Sequence, residues 1–241
     1  MHPTPISTLL QTSTVMNARR LLLLLSISAS VFSSRAQTSK ADPKDLQGWM
    51  QASLGLNLPK RWDASLDLQY RRQGDMGTFM GAYVAPSVGY GLTKKLRVFA
   101  NYRYARTSEA WSSRVGIGVE LTAKKSGWNL GFRPQLQHTL RYADDGDGSA
   151  SAKTLLRTRL QARHALTKRL DGYFSVEPYL NFDPSEYIVD NIRNTIGLRY
   201  EYAKGRKLGL FYIYRPDYSK RYNRVFHVVG LRWDLDWKVG G

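Results

Sequence analysis

The sequence predicts an all-β fold: a transmembrane antiparallel β-barrel of about 10 to 12 strands, preceded by a cleaved signal peptide. Three observations carry this expectation. Eleven stretches alternate apolar and polar residues with the side-chain period of 2 that a strand imposes. The apolar faces of these stretches hold almost no charge between the strand ends. A basic start, an apolar run and small residues open the chain in the pattern of an export signal. In the stretch from Trp62 to Arg71, Trp62, Ala64, Leu66, Leu68 and Tyr70 point one way, while Asp63, Ser65, Asp67, Gln69 and Arg71 point the other.

The signal spans residues 1–36. Asn17, Ala18, Arg19 and Arg20 follow Met16, Leu21 to Phe32 is apolar, and Ser34-Arg35-Ala36 offers small residues for cleavage before Gln37. Met1 to Val15 carry no Lys or Arg, which puts the effective start of the signal at Met16. The apolar run is short of the roughly 20 residues that a spanning helix needs. Removing Arg19, Arg20 and Arg35 from the 36 basic residues leaves 33 against 19 acids, a net charge of +14 for one domain. Nucleic acid is an unsuitable partner for an exported chain, despite that charge. The sequence has no Cys, so strand pairing rather than disulfides must hold the fold.

Residues 37–45 read as a polar linker, and residues 46–241 as the barrel. The strands expected by period are Leu46 to Leu58, Trp62 to Arg71, Phe79 to Tyr90, Leu96 to Arg106, Trp111 to Thr122 and Trp128 to Tyr142. Thr154 to Leu166, Leu170 to Phe182, Ile192 to Tyr202, Leu208 to Pro216 and Val225 to Trp237 complete the set. Pro86, Pro134 and Pro178 fall inside strands, where each removes a ladder donor, and so predict bulges or strand ends. The short connections are all basic, and two are nearly identical, Leu92-Thr93-Lys94-Lys95-Leu96 and Leu166-Thr167-Lys168-Arg169-Leu170. Longer connections, Ala143 to Lys153 and Asp183 to Asn191, hold most of the loop acids. Short turns at one end and long loops at the other suit an outer-membrane barrel with its turns in the periplasm of a Gram-negative bacterium. Closing such a barrel with both termini in the periplasm requires an even strand number, so ten or twelve strands are expected rather than eleven.

Alternation alone does not say which face points inward, since a soluble barrel or a sandwich would bury the oily face. Strands of this length suit a tilted crossing of about 9 to 11 residues rather than the modal 5 to 6 of soluble proteins. Aromatic residues sit on the oily face near strand ends: Trp62, Tyr70, Tyr104, Trp111, Trp128, Tyr142, Tyr202, Tyr214, Trp233 and Trp237. This is the girdle expected at headgroup level. Arg or Lys facing lipid at mid-bilayer costs about 2 to 4 kcal/mol, so the charged face must point inward.

By parity the lumen receives Arg71, Arg97, Arg103, Arg114, Arg133 and Arg141 from the first six strands. The later strands add Arg157, Arg159, Arg163, Arg193, Arg199, Arg215 and Arg232. Against them stand Asp63, Asp67, Glu120, Asp171, Glu177 and Glu201. Glycines such as Gly89, Gly116 and Gly197 alternate among them and supply space for the long side chains. Two readings stay open. An Arg-lined lumen attracts small anionic solutes and makes a narrow, anion-biased passive channel. The same residues, paired, plug a narrow barrel that is non-conducting and acts through its loops in structure or adhesion. The basic turns suit anionic lipid headgroups of the outer membrane, with a periplasmic acidic partner as the alternative.

A third class, a lipid-modifying enzyme, needs a His beside a nucleophile. His138, His164 and His227 all fall on the outward face, so no catalytic residues are expected. Asp144-Asp145-Gly146-Asp147-Gly148 carries oxygen ligands but lacks the distal Glu of a calcium loop and reads as a turn. No metal or cofactor is expected.

Trp49, Arg157-Thr158-Arg159 with Arg163, Glu177-Pro178-Tyr179-Leu180-Asn181, Arg193 with Gly197 and Tyr200, and Asn223 with His227 together resemble a bacterial family, domain of unknown function 2490 (DUF2490). The resemblance covers Leu46 to Trp237. It departs at Gln161, where the family pattern commonly has an acidic residue. It implies an outer-membrane barrel and no assigned activity.

Overall fold

The computed structural model describes residues 44–144, 150–218 and 224–239. The expected signal, residues 37–43 of the linker, Asp145 to Gly148 of the acidic loop, and Asn223 lie outside the described residues. Lys44 and Asp45, expected in the linker, belong to the first strand. The strands are β1 (Lys44–Asn57), β2 (Trp62–Gln73), β3 (Thr78–Gly91), β4 (Leu96–Thr107), β5 (Ala110–Lys125), β6 (Trp128–Ala143), β7 (Ala150–Ala165), β8 (Leu170–Asn181), β9 (Val189–Ala203), β10 (Arg206–Asp217) and β11 (Arg224–Lys238). Each pairs antiparallel with its neighbours in sequence, and β1 meets β11 to close the ring.

Among the described residues the strand number is therefore eleven, neither ten nor twelve. An odd number leaves the first and last strands running the same way, so closure must be parallel. β1 and β11 pair in parallel without a break from Lys44 opposite Val225 to Asn57 opposite Lys238. The expectation of an even number assumed that every seam is antiparallel. A single parallel seam removes that requirement and places Lys44 and Lys238 at opposite ends of the barrel.

The turn chemistry follows from local residues. Ser126 and Gly127 both have positive φ, 49° and 79°, which two-residue hairpins prefer because that twist matches the flanking strands. The two near-identical turns share one geometry. Thr93 Oγ1 accepts from the backbone N–H of Lys95 at 3.1 Å and of Leu96 at 3.0 Å, and Thr167 Oγ1 accepts from those of Arg169 and Leu170 at 3.2 and 3.0 Å. The length asymmetry between the two ends is smaller than expected. β7 and β9 begin earlier, at Ala150 and Val189, and on the long-loop end β4 joins β5 through Ser108 and Glu109 alone.

The prolines also differ from expectation. Pro86 lies opposite Leu66 and Pro134 opposite Thr158, mid-strand, with the register intact on either side. The register shifts fall elsewhere, after Arg71, after Tyr179 beside Pro178, and after Arg206. Pro86 and Pro134 point outward, and on their other flanks the ladder lapses over Ala85 and Pro86 and over Arg133 and Pro134 before resuming in the same register.

The outer face is apolar. Ile117 is 62% exposed, Ile196 61% and Leu231 55%, and among the described residues the charged side chains on this face, Lys44, Arg72, Arg106, Lys125 and Arg206, lie at strand ends. Aromatic groups mark both rims. At the turn end Trp62 packs on Tyr90 with ring centroids 4.9 Å apart, Trp128 on His164 at 4.5 Å, and Trp233 Nε1 donates to Tyr202 Oη at 2.8 Å. At the loop end Trp111 stacks on Tyr142 at 4.0 Å and contacts Tyr104 at 6.1 Å, and Tyr214 lies 5.8 Å from His227.

The parallel seam is directly testable. Leu54 and Leu235 are register partners that face outward across it. In a Leu54→Cys, Leu235→Cys double variant of this Cys-free chain, oxidation is expected to lock the seam, giving a band whose mobility differs from the reduced form in a denaturing gel. Leu54→Cys with Leu231→Cys, displaced along β11 by about 13 Å, should not cross-link. Cross-linking of the second pair alone would mean that the ring closes in another register.

Candidate functional site

The interior is built from the inward half of every alternating strand. It holds a cavity of about 460 Å³, lined among others by Arg71, Arg103, Arg114, Arg133, Arg157, Arg159, Arg163, Arg193, Arg199 and Arg232, and by three acids, Asp67, Glu120 and Glu177. Guanidinium groups thus outnumber carboxylates on the cavity wall.

Glu177 is the centre of the pairing. It is 3% exposed and stands in register with Arg193 across β8 and β9. Arg157 Nε donates to Glu177 Oε1 at 2.6 Å, Arg159 Nε lies 3.2 Å from the same oxygen, and Arg193 Nη1 lies 3.5 Å from Oε2. Tyr179 Oη donates to Oε2 at 3.2 Å. A buried carboxylate is costly alone, and three guanidinium groups with a phenol offset that cost. Nearer the turn end, Arg97 bridges Asp63 and Glu120. Asp234 holds Arg232 at 2.5 Å and Arg199 at 3.7 Å. Toward the loop end Arg215 Nε lies 2.9 Å from Asp217.

The other arginines rest on rings and neutral polar groups. Arg71 lies 4.0 Å above the Trp49 ring and donates to Gln69, and Arg133 lies 4.1 Å above Phe99. Such cation–π stacking holds a guanidinium without neutralising it. Arg114 Nε donates to Thr139 Oγ1 at 2.9 Å and Nη1 to Gln137 Oε1 at 3.2 Å. Gln47, Gln135 and Gln137 are fully buried and tie the wall together: Gln137 donates to Gln135 at 3.0 Å and Gln135 to Asn101 at 2.9 Å. Trp49, Phe211, Ile213 and Val228 form an apolar cluster on β1, β10 and β11, with Tyr173 packed against it. The apolar cluster thus lies among the arginines, with Arg71 and Arg193 against Trp49 and Arg232 on β11 beside it.

Glycine creates the room at defined points. A Cβ at Gly197 would lie 2.6 Å from the Tyr173 ring, and one at Gly118 2.7 Å from the Phe99 ring. Those rings cover the bare backbone.

Most expected lumen residues meet around this cavity, while Arg97, Arg141, Arg215, Asp63, Asp171 and Glu201 do not line it. Arg97 is inside but spent on Asp63 and Glu120. Arg141 sits at the loop rim, its side chain 56% exposed and 4.0 Å from Glu109. Glu201 lies at the turn end, where its Oε1 accepts from the Gly205 N–H at 3.2 Å, beside Lys124 and Lys207. Parity assigns a face but not a height, and both residues lie near strand ends. The ring and amide residues of the interior, Trp49, Gln69, Tyr83, Phe99, Gln135 and Phe211, were not singled out as lumen residues, although the same parity places them there. The expected girdle residues all lie on the outer face. Of the outward His, His138 contacts Thr154 Oγ1 at 2.9 Å and His227 the Tyr212 hydroxyl at 2.6 Å. Asp144 of the acidic loop pairs with Arg106 at 2.7 Å. Among the described residues no cluster of metal-ligating side chains occurs.

The family model described as "Protein of unknown function (DUF2490)" matches residues 46–225. No curated protein matches the chain. A solved structure described as NanC porin in a rhombohedral crystal form is similar at 14% identity with a TM-score of 0.48, over 70% of this chain and 86% of that one.

Removing the central carboxylate tests the pairing. Glu177→Gln leaves three arginines without their counter-charge and is expected to destabilise the folded barrel by about 3 to 5 kcal/mol. The measurement is the urea midpoint of unfolding in lipid vesicles, and an unchanged midpoint would remove Glu177 from its central role.

Proposed function

The chain belongs to this family of unknown function, and we propose that it is an outer-membrane β-barrel of a Gram-negative bacterium whose arginine-lined lumen forms a narrow, anion-biased passive channel. The observation that carries the reading is the cavity wall, where guanidinium groups outnumber carboxylates. Inside low-dielectric walls that excess focuses a positive potential, which draws small anions in and repels cations. Stacking on Trp49, Tyr83 and Phe99 keeps several of these charges in place without neutralising them.

The membrane setting rests on the outer face. From Trp128 to Tyr142 on β6 the aromatic ends are separated by about 46 Å along the strand, or about 33 Å along the barrel axis at a tilt near 45°. That matches a hydrocarbon core of about 30 Å with rings at both interfaces. Residues 1–36 serve as its export signal. The lipid surroundings and small anionic solutes are the partners, and no catalytic role is part of the reading. The apolar cluster around Trp49 and Phe211 favours one alternative, a non-conducting barrel that acts through its loops, because it fills part of the cross-section.

In a planar bilayer under a potassium chloride gradient, purified protein is expected to give small conductance steps with a reversal potential on the chloride side. Arg133→Glu should shift that potential toward the cation side. Silent membranes would favour the non-conducting alternative, and cation-selective steps from the unaltered protein would overturn the anion-biased channel. Single cysteines report the setting: Ser185→Cys in the β8–β9 loop should react with an impermeant maleimide in intact cells. Ser126→Cys in the β5–β6 turn should react only after permeabilisation, and the reverse pattern would invert the barrel.

A further inference from the structure

Arg103 and Arg114 are direct register partners on β4 and β5, and both line the cavity. In an antiparallel pair such partners have Cβ atoms about 4.5 to 5.5 Å apart, and like charges placed opposite one another repel. Two other arginine groups in this interior share a carboxylate: Glu177 serves Arg157, Arg159 and Arg193, and Asp234 serves Arg199 and Arg232. Among the described residues, neither Arg103 nor Arg114 has a carboxylate within ion-pair distance. Arg103 lies over the Tyr83 ring at 4.8 Å, and its Nε is buried with no hydrogen-bond partner. Arg114 is held by Thr139 and Gln137 of β6, which fix its guanidinium without neutralising it.

We propose that Arg103 and Arg114 form a binding site for a doubly charged oxyanion of the phosphate-monoester type within the lumen. The proposal rests on reading the lumen as an anion path and names the class of anion that the path retains. Two adjacent guanidinium groups bring two positive charges. A carboxylate would compensate only one of them, whereas a phosphate dianion compensates both and offers three acceptor oxygens to two forks. Ala85 lines the same stretch of wall, and the cavity of about 460 Å³ leaves room for the ion and bound water at about 30 Å³ per water. The pair thus has the charge of the other arginine clusters without their built-in acid, and the solute supplies it.

The test is calorimetric titration of the full chain, folded in neutral detergent and phosphate-free buffer, with inorganic phosphate, glucose 6-phosphate and acetate. Saturable binding of inorganic phosphate is expected at pH 8, weakening about tenfold at pH 5, where the second proton returns to the ion. Acetate should bind at least about tenfold more weakly than phosphate. Glucose 6-phosphate binding alongside phosphate would identify a phosphorylated solute, and phosphate alone would identify the free ion; either supports the site. Arg103→Gln and Arg114→Gln should each weaken phosphate binding about tenfold, while Lys124→Gln, at the turn end of β5 and outside the cavity lining, should leave it unchanged. Heat-modifiable gel mobility reports whether each variant is folded. Should Arg103→Gln not fold, Arg103→Lys keeps the charge but loses the fork, and is expected to bind more weakly. Absence of saturable phosphate binding, equal binding of acetate, or an equal loss in Lys124→Gln overturns the site. Anion-selective conductance without phosphate binding removes this site and leaves the channel; phosphate binding without conductance removes the channel and leaves the site.

Discussion

Eleven alternating strands close on themselves only where the first and the last run side by side in the same direction, and the seam between β1 and β11 is where this happens. A parallel pair gives slanted, slightly weaker bonds than an antiparallel one, so the seam needs length. It has it, since β1 is paired along its whole extent. Closure leaves no open sheet edge, and every strand therefore keeps one face for the lumen and one for the surroundings. The seam preserves this division: inward Trp49 stands opposite inward Gly230, and outward Leu54 opposite outward Leu235. A slip by one residue would turn Trp49 out and Leu54 in, and would reverse both faces at once.

With the faces fixed, the interior must accommodate long charged side chains in a small cross-section. Two devices make this possible. Bare backbone at Gly197, Gly118 and Gly230 lets the rings of Tyr173, Phe99 and Phe211 lie flat against the wall. Shared acids then hold arginines in groups, Glu177 being the centre of the largest group. What distinguishes this interior from a fully neutralised plug is that, among the described residues, several arginines of β2, β4, β5 and β6 form no ion pair, although β2 and β5 carry Asp63, Asp67 and Glu120. There Arg71, Arg103, Arg114 and Arg133 are held by rings, amides and a hydroxyl. These partners position a cation but leave its charge available.

Alternation made the two faces legible in the sequence, because side-chain parity along a strand is a local property. Trp62 to Tyr70 and Trp128 to Tyr142 could be assigned outward without knowing any neighbour, and the repeated Leu-Thr-Lys turns announced hairpins whose Thr hydroxyls bind the same backbone positions. Three properties were not local and were not legible. Closure depends on how the two ends of the sheet meet, which no single strand encodes. Height along the axis depends on strand stagger, so Arg141 and Glu201 lie at the rims although their parity is inward. The pairing around each proline depends on whether a neighbour needs the missing N–H, and at Pro86 and Pro134 it continues with one neighbour and lapses for two residues with the other, without a shift of register.

The charges are also unequal along the axis. At the turn end, Lys60, Arg61, Lys94, Lys95, Lys168, Arg169 and Lys204 crowd the connections, with Lys124 and Lys125 at the end of β5. At the loop end, several acids sit among the bases: Asp144 is tied to Arg106, Asp190 to Lys153 and Asp217 to Arg215. An anion at the loop end therefore meets partly neutralised charge first, then the unneutralised arginines of the wall, then a crown of exposed Lys and Arg. Exposed charges are screened within about 8 Å at physiological salt, so the crown acts only on an ion already near it. The arginines inside are shielded from that screening and act over the length of the cavity. Under the proposed function, the potential that selects an anion is thus set by the wall rather than by the lysines outside, and on β4 and β5 that wall holds two arginines in direct register without an ion-paired acid.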